Sequence, residues 1–209
     1  VSGSKQVFLF GYSGHAYVII ESFIAAGFSI SGYFDYQEAT SNPYKIPYFG
    51  YEGNVNVAAI VKDSFVFPSV GDNAIRAKLV SFFEKQELQQ CVLIDPNAKV
   101  SPTSKINVST YIGKNASVNA QSYIGKGVIV NTSAIVEHEC VVEDFCHIAP
   151  GAVLCGNVRI EELTFIGANA IVINNISISR DVILGAGSIL AKSIDEKGIW
   201  FGNPSKKIK

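Results

Sequence analysis

The chain has 209 residues, a formal net charge of −1 and 48% hydrophobic residues, which is enough for two small domains. Near-neutral charge without a basic run argues against a nucleic-acid footprint, and no apolar stretch approaches the roughly 20 residues of a membrane span. Cys91, Cys140, Cys146 and Cys155 form no CxxC pair and no cleavable signal peptide opens the chain, so a soluble cytoplasmic protein is expected.

Val1 to Ser4, in a chain without Met, read as including a non-native leader. Gln6 to Phe10 then reads as a buried strand, Gly11 to Gly14 as a tight turn, His15 to Ala26 as a helix ended by Gly27, and Phe28 to Asp35 as a second strand. Phe65 to Val70 is a third strand, and Gly71-Asp72-Asn73 leads into a helix through about Gln86. This βαβ pattern predicts a small parallel sheet with ligands at the carboxyl ends of its strands. Gly11-Tyr12-Ser13-Gly14-His15 opens the first helix, where free backbone N–H groups and the helix dipole favour an anion. A strand-to-helix turn also carries Gly for geometry alone. Asp35 stands where such sheets place a ribose or base acceptor; a solvated turn aspartate is the plainer alternative.

Near Gln90 the pattern changes, dividing the chain into residues 1–90 and 91–209. Every sixth residue from Ile94 to Leu190 is Ile, Val or Leu. Four residues after each of these, a second set is small or apolar, including Cys140 and Cys146, and the position one past favours Gly and Asn, as at Asn107, Gly113, Gly125, Asn131 and Gly167. An α-helix cannot hold period six on one face, whereas a short strand plus a corner can. Each hexad is therefore one strand and a bend, stacked into a parallel β-solenoid. Outer aliphatics such as Ile129 and Ile135 remain exposed in a lone rod and are expected to be hidden by assembly.

Period six with aliphatic beats resembles the left-handed parallel β-helix of hexapeptide-repeat acyltransferases, and the handedness is taken from that resemblance. The fold expected is thus an α/β N-terminal domain followed by an all-β left-handed parallel β-helix. With coils of about 18 residues stacked at strand spacing, residues about 18 apart are vertical neighbours. The GxSGH turn, Phe34-Asp35, Val70-Gly71-Asp72-Asn73, the hexads, Glu137-His138-Glu139 and Phe201-Gly202-Asn203-Pro204-Ser205-Lys206 together resemble one bacterial family along essentially the whole chain. It is the nucleotide-sugar N-acetyltransferases that acylate 4-amino-4,6-dideoxy sugars, related to sialic acid O-acetyltransferases. Two features depart from it. Tyr36 stands where many relatives have a second acidic residue, and Asp95-Pro96 replaces His-Pro at a position read as structural.

His138 follows the inward Val136 by two residues, so it sits near a corner and faces away from the core, and a flanking carboxylate can hold one ring nitrogen while the other accepts a proton. A solvated surface triplet is the alternative. Gly156, 18 positions on, stacks over His138, and its N–H suits an oxyanion. The resemblance implies that His138 is the general base, Glu139 its orienting partner and Gly156 the oxyanion donor, with His147 near the acetyl-coenzyme A thioester. It assigns Gly11, Ser13, Gly14, His15, Asp35, Tyr36 and Gly71 to the nucleotide and Asn131 to the amino sugar. Ala168, Gly185, Ala186, Pro204 and Lys206 fall to coenzyme A. The implied reaction is direct acetyl transfer from acetyl-coenzyme A to the 4-amino group of a UDP- or dTDP-linked sugar, by a homotrimer with sites between solenoids. Neither a metal nor an acyl-enzyme is required.

Three rival readings stand beside it. A γ-carbonic-anhydrase-like hydratase needs three imidazoles around zinc, and the solenoid offers only His138 and His147. A non-catalytic nucleotide-binding assembly rod leaves Glu137-His138-Glu139 without a use. A sugar O-acetyltransferase would employ the same base on a hydroxyl, and the sequence does not separate amine from alcohol.

Overall fold

The computed structural model describes residues 5–209, so Val1–Ser4 and the leader reading lie outside the described residues. Strands β1 (Lys5–Phe10), β2 (Phe28–Phe34) and β3 (Phe65–Pro68) form a parallel sheet in the order β2-β1-β3. Helices α1 (Gly14–Ala25), α2 (Val57–Val61) and α3 (Asn73–Lys85) accompany it. The elements expected from sequence lie within two residues of these bounds; α2, capped by the Asn56 side chain accepting from Ala59 N–H, was not expected. Alternate residues of β1 face opposite sides, as strand geometry dictates. Val7 and Leu9 pack on the buried face of α1, with Ala16, Ile19, Ile20 and Phe23. Phe8 and Phe10 pack with Leu79, Val80 and Phe83 of α3.

From Leu93 the chain coils as a parallel β-solenoid of about six turns, the left-handed β-helix expected. Its two-residue strands form three sheets, and each pairs with the strand 18 positions on, as Ile129 with His147 and Ile135 with Val153. The first face carries the strands of Leu93, Tyr111, Ile129, His147, Phe165 and Ile183; the second those of Lys99 to Ile189; the third those of Lys105 to Ser177. The aliphatic beats fill the interior from Ile112 to Leu190. Ile94 departs from this: it is 39% exposed, because no coil lies beneath the first one.

The corners share one backbone conformation. The left-handed backbone that turns each corner falls three residues past the beat, at Ser109, Asn115, Gln121, Gly127, Ser133, Glu139 and so on to Gly187. No β-branched residue occupies these positions, as the crowding of a branched Cβ against the carbonyl requires. Asn, Asp and Gly recur there and were the available signal.

Helix α1 lies between the small sheet and the first face, burying Leu93, Tyr111 and Ile129 with its own apolar stripe. The expectation that Ile129 is an exposed outer residue is therefore corrected: it is 2% exposed, covered by the N-terminal domain of its own chain. Ser22 of α1 donates to Asp95 at 2.6 Å and meets the Tyr111 hydroxyl at 2.9 Å. Asp95 also accepts from Asn97 N–H; burial alone would raise its carboxyl, but the hydrogen bonds from Ser22 and Asn97 outweigh that and hold it lowered. A strand hairpin of Gly198–Gly202 and Ser205–Lys207 extends the first face, and Trp200 packs on the interior as an end cap. Among the described residues no helix is long and apolar enough to cross a membrane.

Candidate active site

His138 occupies the corner between the second and third faces, one residue before the left-handed Glu139. That turn swings the Glu139 carboxylate back onto the ring, with Oε2 at 3.0 Å from Nδ1. Both side chains are open to solvent, 59% and 63% exposed. The ring lies over Gly156 so closely that a Cβ there would fall 2.6 Å from both Cε1 and Nε2. A side chain at Gly156 would therefore displace the ring from this position. Its carbonyl accepts from Asn175 N–H, whereas its own N–H donates to no backbone carbonyl among the described residues. The corner therefore sets an imidazole oriented by Glu139, with Nε2 over Gly156, beside an amide donor that meets no backbone carbonyl among the described residues.

The two thiols in the solenoid core are not activated. Cys140 and Cys146 are fully buried on inward positions and donate to the carbonyls of Cys155 and Glu161. Burial pushes their thiols up to about 11 and about 12, the opposite of what a nucleophilic cysteine needs. Among the described residues no group of three His, Cys, Asp or Glu side chains is placed to hold a metal ion.

The residues expected at the nucleotide separate into four places. Gly11, Asp35 and Tyr36 line a cavity of about 440 Å³ at the carboxyl ends of the three strands, joined by Tyr51, Glu52, Lys78 and Phe82. Asp35 ties this rim together, accepting from Tyr12 N–H at 2.8 Å and Tyr36 N–H at 2.6 Å. Ser13 and Gly14 are exposed at the start of α1. Gly71 lines a second cavity, of about 370 Å³, with Asp72, Asn73, Phe165 and Ile183, between α3 and the first face.

His15, with Asn131 and His147, forms the fourth, at the junction of the domains. Asn131 Oδ1 accepts from Thr132 N–H, so its Nδ2 donates to His147 Nε2 at 3.1 Å. The other nitrogen, Nδ1, then carries the proton and donates to Gly71 O at 3.3 Å. His15 lies 6.2 Å away between ring centroids, its Nε2 buried without a partner. Burial, reinforced by the nearby Arg76 guanidinium, lowers His15 to about 4 and His147 to about 3. Both rings are neutral at pH 7, and within one chain neither shares the His138 corner.

Arg76 was missed in the sequence reading. It is 1% exposed and donates to Gly127 O, Val70 O, Gly71 O, Asn73 Oδ1, Phe145 O and Cys146 O. One side chain thus fastens α3 and the Gly71 turn to the solenoid. Its burial lowers the guanidinium to about 10, still charged at neutral pH. The signal was its spacing: Arg76 shares the inward helical stripe with Leu79, Val80 and Phe83.

The residues expected at coenzyme A lie elsewhere again. Ala168, Gly185 and Ala186 follow first-face strands, on the corner leading to the second face. Gly185 has no room for a Cβ, which would meet Phe201. Pro204 and Lys206 are exposed on the terminal hairpin. The second face, flanked by this corner and by that of His138, presents Ile135, Val153, Ile171 and Ile189 outward.

A left-handed β-helix with a carboxylate-oriented corner imidazole, behind a parallel sheet with a cavity at its strand ends, defines a hexapeptide-repeat acyltransferase. Family models agree with both halves: the PglD N-terminal domain matches residues 6–83 and the GMPPB C-terminal domain residues 88–199. Among solved structures, perosamine N-acetyltransferase from Caulobacter crescentus, in complex with CoA and GDP-perosamine, is 30% identical over 100% of this chain and 98% of that one, with a TM-score of 0.93. The acetyltransferase domain of PglB from Neisseria gonorrhoeae, in complex with acetyl coenzyme A, is also 30% identical, over 99% of this chain and 100% of that one, with a TM-score of 0.90. WeeI from Acinetobacter baumannii, 22% identical over 98% of this chain and 100% of that one, shares the fold with a TM-score of 0.83. The chain belongs to the hexapeptide-repeat nucleotide-sugar N-acetyltransferases, related to the sialic acid O-acetyltransferases, and is an acyltransferase using acetyl-coenzyme A.

Proposed function

We propose that the protein transfers the acetyl group of acetyl-coenzyme A directly to the 4-amino group of a nucleotide-linked 4-amino-4,6-dideoxy sugar, serving bacterial surface glycan or glycoprotein synthesis. The observation that carries this reading is the His138 ring, held by Glu139 at 3.0 Å and seated on Gly156. Glu139 accepts the Nδ1 proton and leaves Nε2 as the base. The sugar nitrogen attacks the thioester carbon as Nε2 takes its proton, and the Gly156 N–H donates to the oxygen that becomes negative. Collapse breaks the carbon–sulfur bond, and the departing thiolate takes the proton from Nε2, giving the amide and coenzyme A. No thiol intermediate enters, in keeping with the buried, raised thiols of Cys140 and Cys146.

The nucleotide sits in the cavity of Gly11, Asp35 and Tyr36, in the usual crevice beyond the strand ends. This cavity belongs to the domain on the first face, whereas His138 lies on the corner opposite that face. A complete site therefore takes its nucleotide domain from one chain and its base from another, in a homotrimer. The apolar second face supplies the contact, and the adjacent corner with Ala168, Gly185 and Ala186 receives coenzyme A. The domain boundary near residue 90 separates these two duties.

Incubation with acetyl-coenzyme A and a panel of nucleotide-linked 4-amino-4,6-dideoxy sugars tests the activity. Free thiol should appear in step with an acetamido product. Thiol release with hydroxy sugars alone would reassign the enzyme as an O-acetyltransferase.

A further inference from the structure

The cavity at the strand ends contains a carboxylate that the fold does not employ. Asp35 commits one oxygen to Tyr12 N–H and the other to Tyr36 N–H, so it braces the cavity wall. Glu52 lines the same space half-buried, and among the described residues its carboxylate meets its own backbone N–H and no other donor. Burial, with the neighbouring Asp35 charge adding to it, raises its carboxyl above the ordinary value. A carboxylate that gives up hydration without gaining a partner is costly unless a ligand supplies donors.

Tyr36 provides the second element. It is 79% exposed at the rim, with only an edge contact to Tyr51 at 5.5 Å between centroids, leaving an aromatic face open for a planar group. Such a wall suits a planar group that turns hydrogen-bond donors to a carboxylate. Only guanine among the common bases places two adjacent donors, the ring N1–H and the exocyclic amino group, on one edge, matching the two oxygens of a carboxylate. Uracil and thymine flank their single N3–H with two carbonyl oxygens, which a carboxylate repels. Adenine and cytosine set one amino group beside an acceptor nitrogen.

We propose that this cavity reads a guanine base, with Glu52 accepting from N1–H and the exocyclic amino group while Tyr36 stacks on the ring, so that the sugar is carried on guanosine diphosphate. The proposal rests on the cavity being the nucleotide site, and it replaces the UDP or dTDP carrier expected from sequence.

Titration calorimetry on the full chain with GDP, IDP, UDP and dTDP tests it, because IDP differs from GDP only in lacking the exocyclic amino group. GDP should bind about tenfold to a hundredfold more tightly than the other three. Glu52→Gln should bring the GDP and IDP affinities together, and Tyr36→Ala should weaken both. Equal wild-type binding of GDP and IDP, tighter UDP or dTDP binding, or a GDP preference that survives Glu52→Gln would overturn the assignment of guanine. Failure of all four to bind would instead sink the nucleotide reading of the cavity, and this inference with it.

Discussion

His138 and Gly156 are a single unit: the ring occupies the space a Gly156 side chain would need. If His138 is the base proposed here, His138→Ala removes a group that acts in the transition state, and kcat should fall by roughly 10² to 10⁴ with little change in nucleotide affinity. Gly156→Ala should lower kcat by displacing the ring, yet change stability by less than about 1 kcal/mol, because the exposed ring is free to swing outward; steady-state kinetics and melts on both variants check this. The junction histidines make a different prediction, about pH. His15 and His147 are lowered in the folded chain from the ordinary 6.5 to about 4 and about 3. Below pH 6.5 the unfolded chain binds protons there that the folded chain refuses, so stability is full above that pH and is lost as pH falls toward 4 and 3. Denaturation midpoints should drop between pH 7 and pH 5, and His147→Asn should flatten the decline. The exposure of His138 was legible from its phase in the hexad. The burial of His147 was not, because an outward strand position is buried only if something covers it. The signal lay 18 residues apart, in Leu93, Tyr111, Ile129, Phe165 and Ile183 above and below it.

At the scale of elements, the hexad beat specifies the interior of the solenoid, and it says nothing of what lies against the outside. Docking depends on α1 over the first face and on Arg76 at its edge. Arg76→Ala would take from the carbonyls of Gly127, Val70 and Phe145 the donor they share with no other group among the described residues, costing about 3 to 5 kcal/mol. Arg76→Lys should recover little, since a point charge cannot replace the fork. Chemical denaturation of the three proteins checks the order. The corners give a second test at Gly127, where φ is +61° and a Cβ would lie 2.6 Å from the Phe145 ring. Gly127→Ala should therefore cost more than the roughly 1 kcal/mol of left-handed backbone alone, whereas Gly14→Ala, with open space and helical backbone, should be neutral or slightly stabilising. The strands and helices of the first 90 residues were legible because turn and cap residues bound them: Gly11, Gly27 and Asp72, whose side chain accepts from Ile75 N–H. The Tyr51 and Glu52 wall of the cavity at the strand ends was not, since it comes from an irregular loop without periodicity.

For the whole molecule, the central claim is that base and nucleotide cavity meet only between chains, because one chain holds them on opposite sides of its rod. The measurement that tests this most directly is complementation between two inactive variants. His138→Ala keeps the nucleotide cavity and loses the base; Asp35→Ala keeps the base and loses the brace of the cavity. When the two are unfolded, mixed in equal amounts and refolded together, about a quarter of the sites combine an intact base with an intact cavity from a neighbour. Acetyl transfer should then return to about a quarter of the wild-type rate, from two proteins nearly inactive alone. Activity no greater than the sum of the separately refolded variants would contradict the account and return base and nucleotide to the same chain.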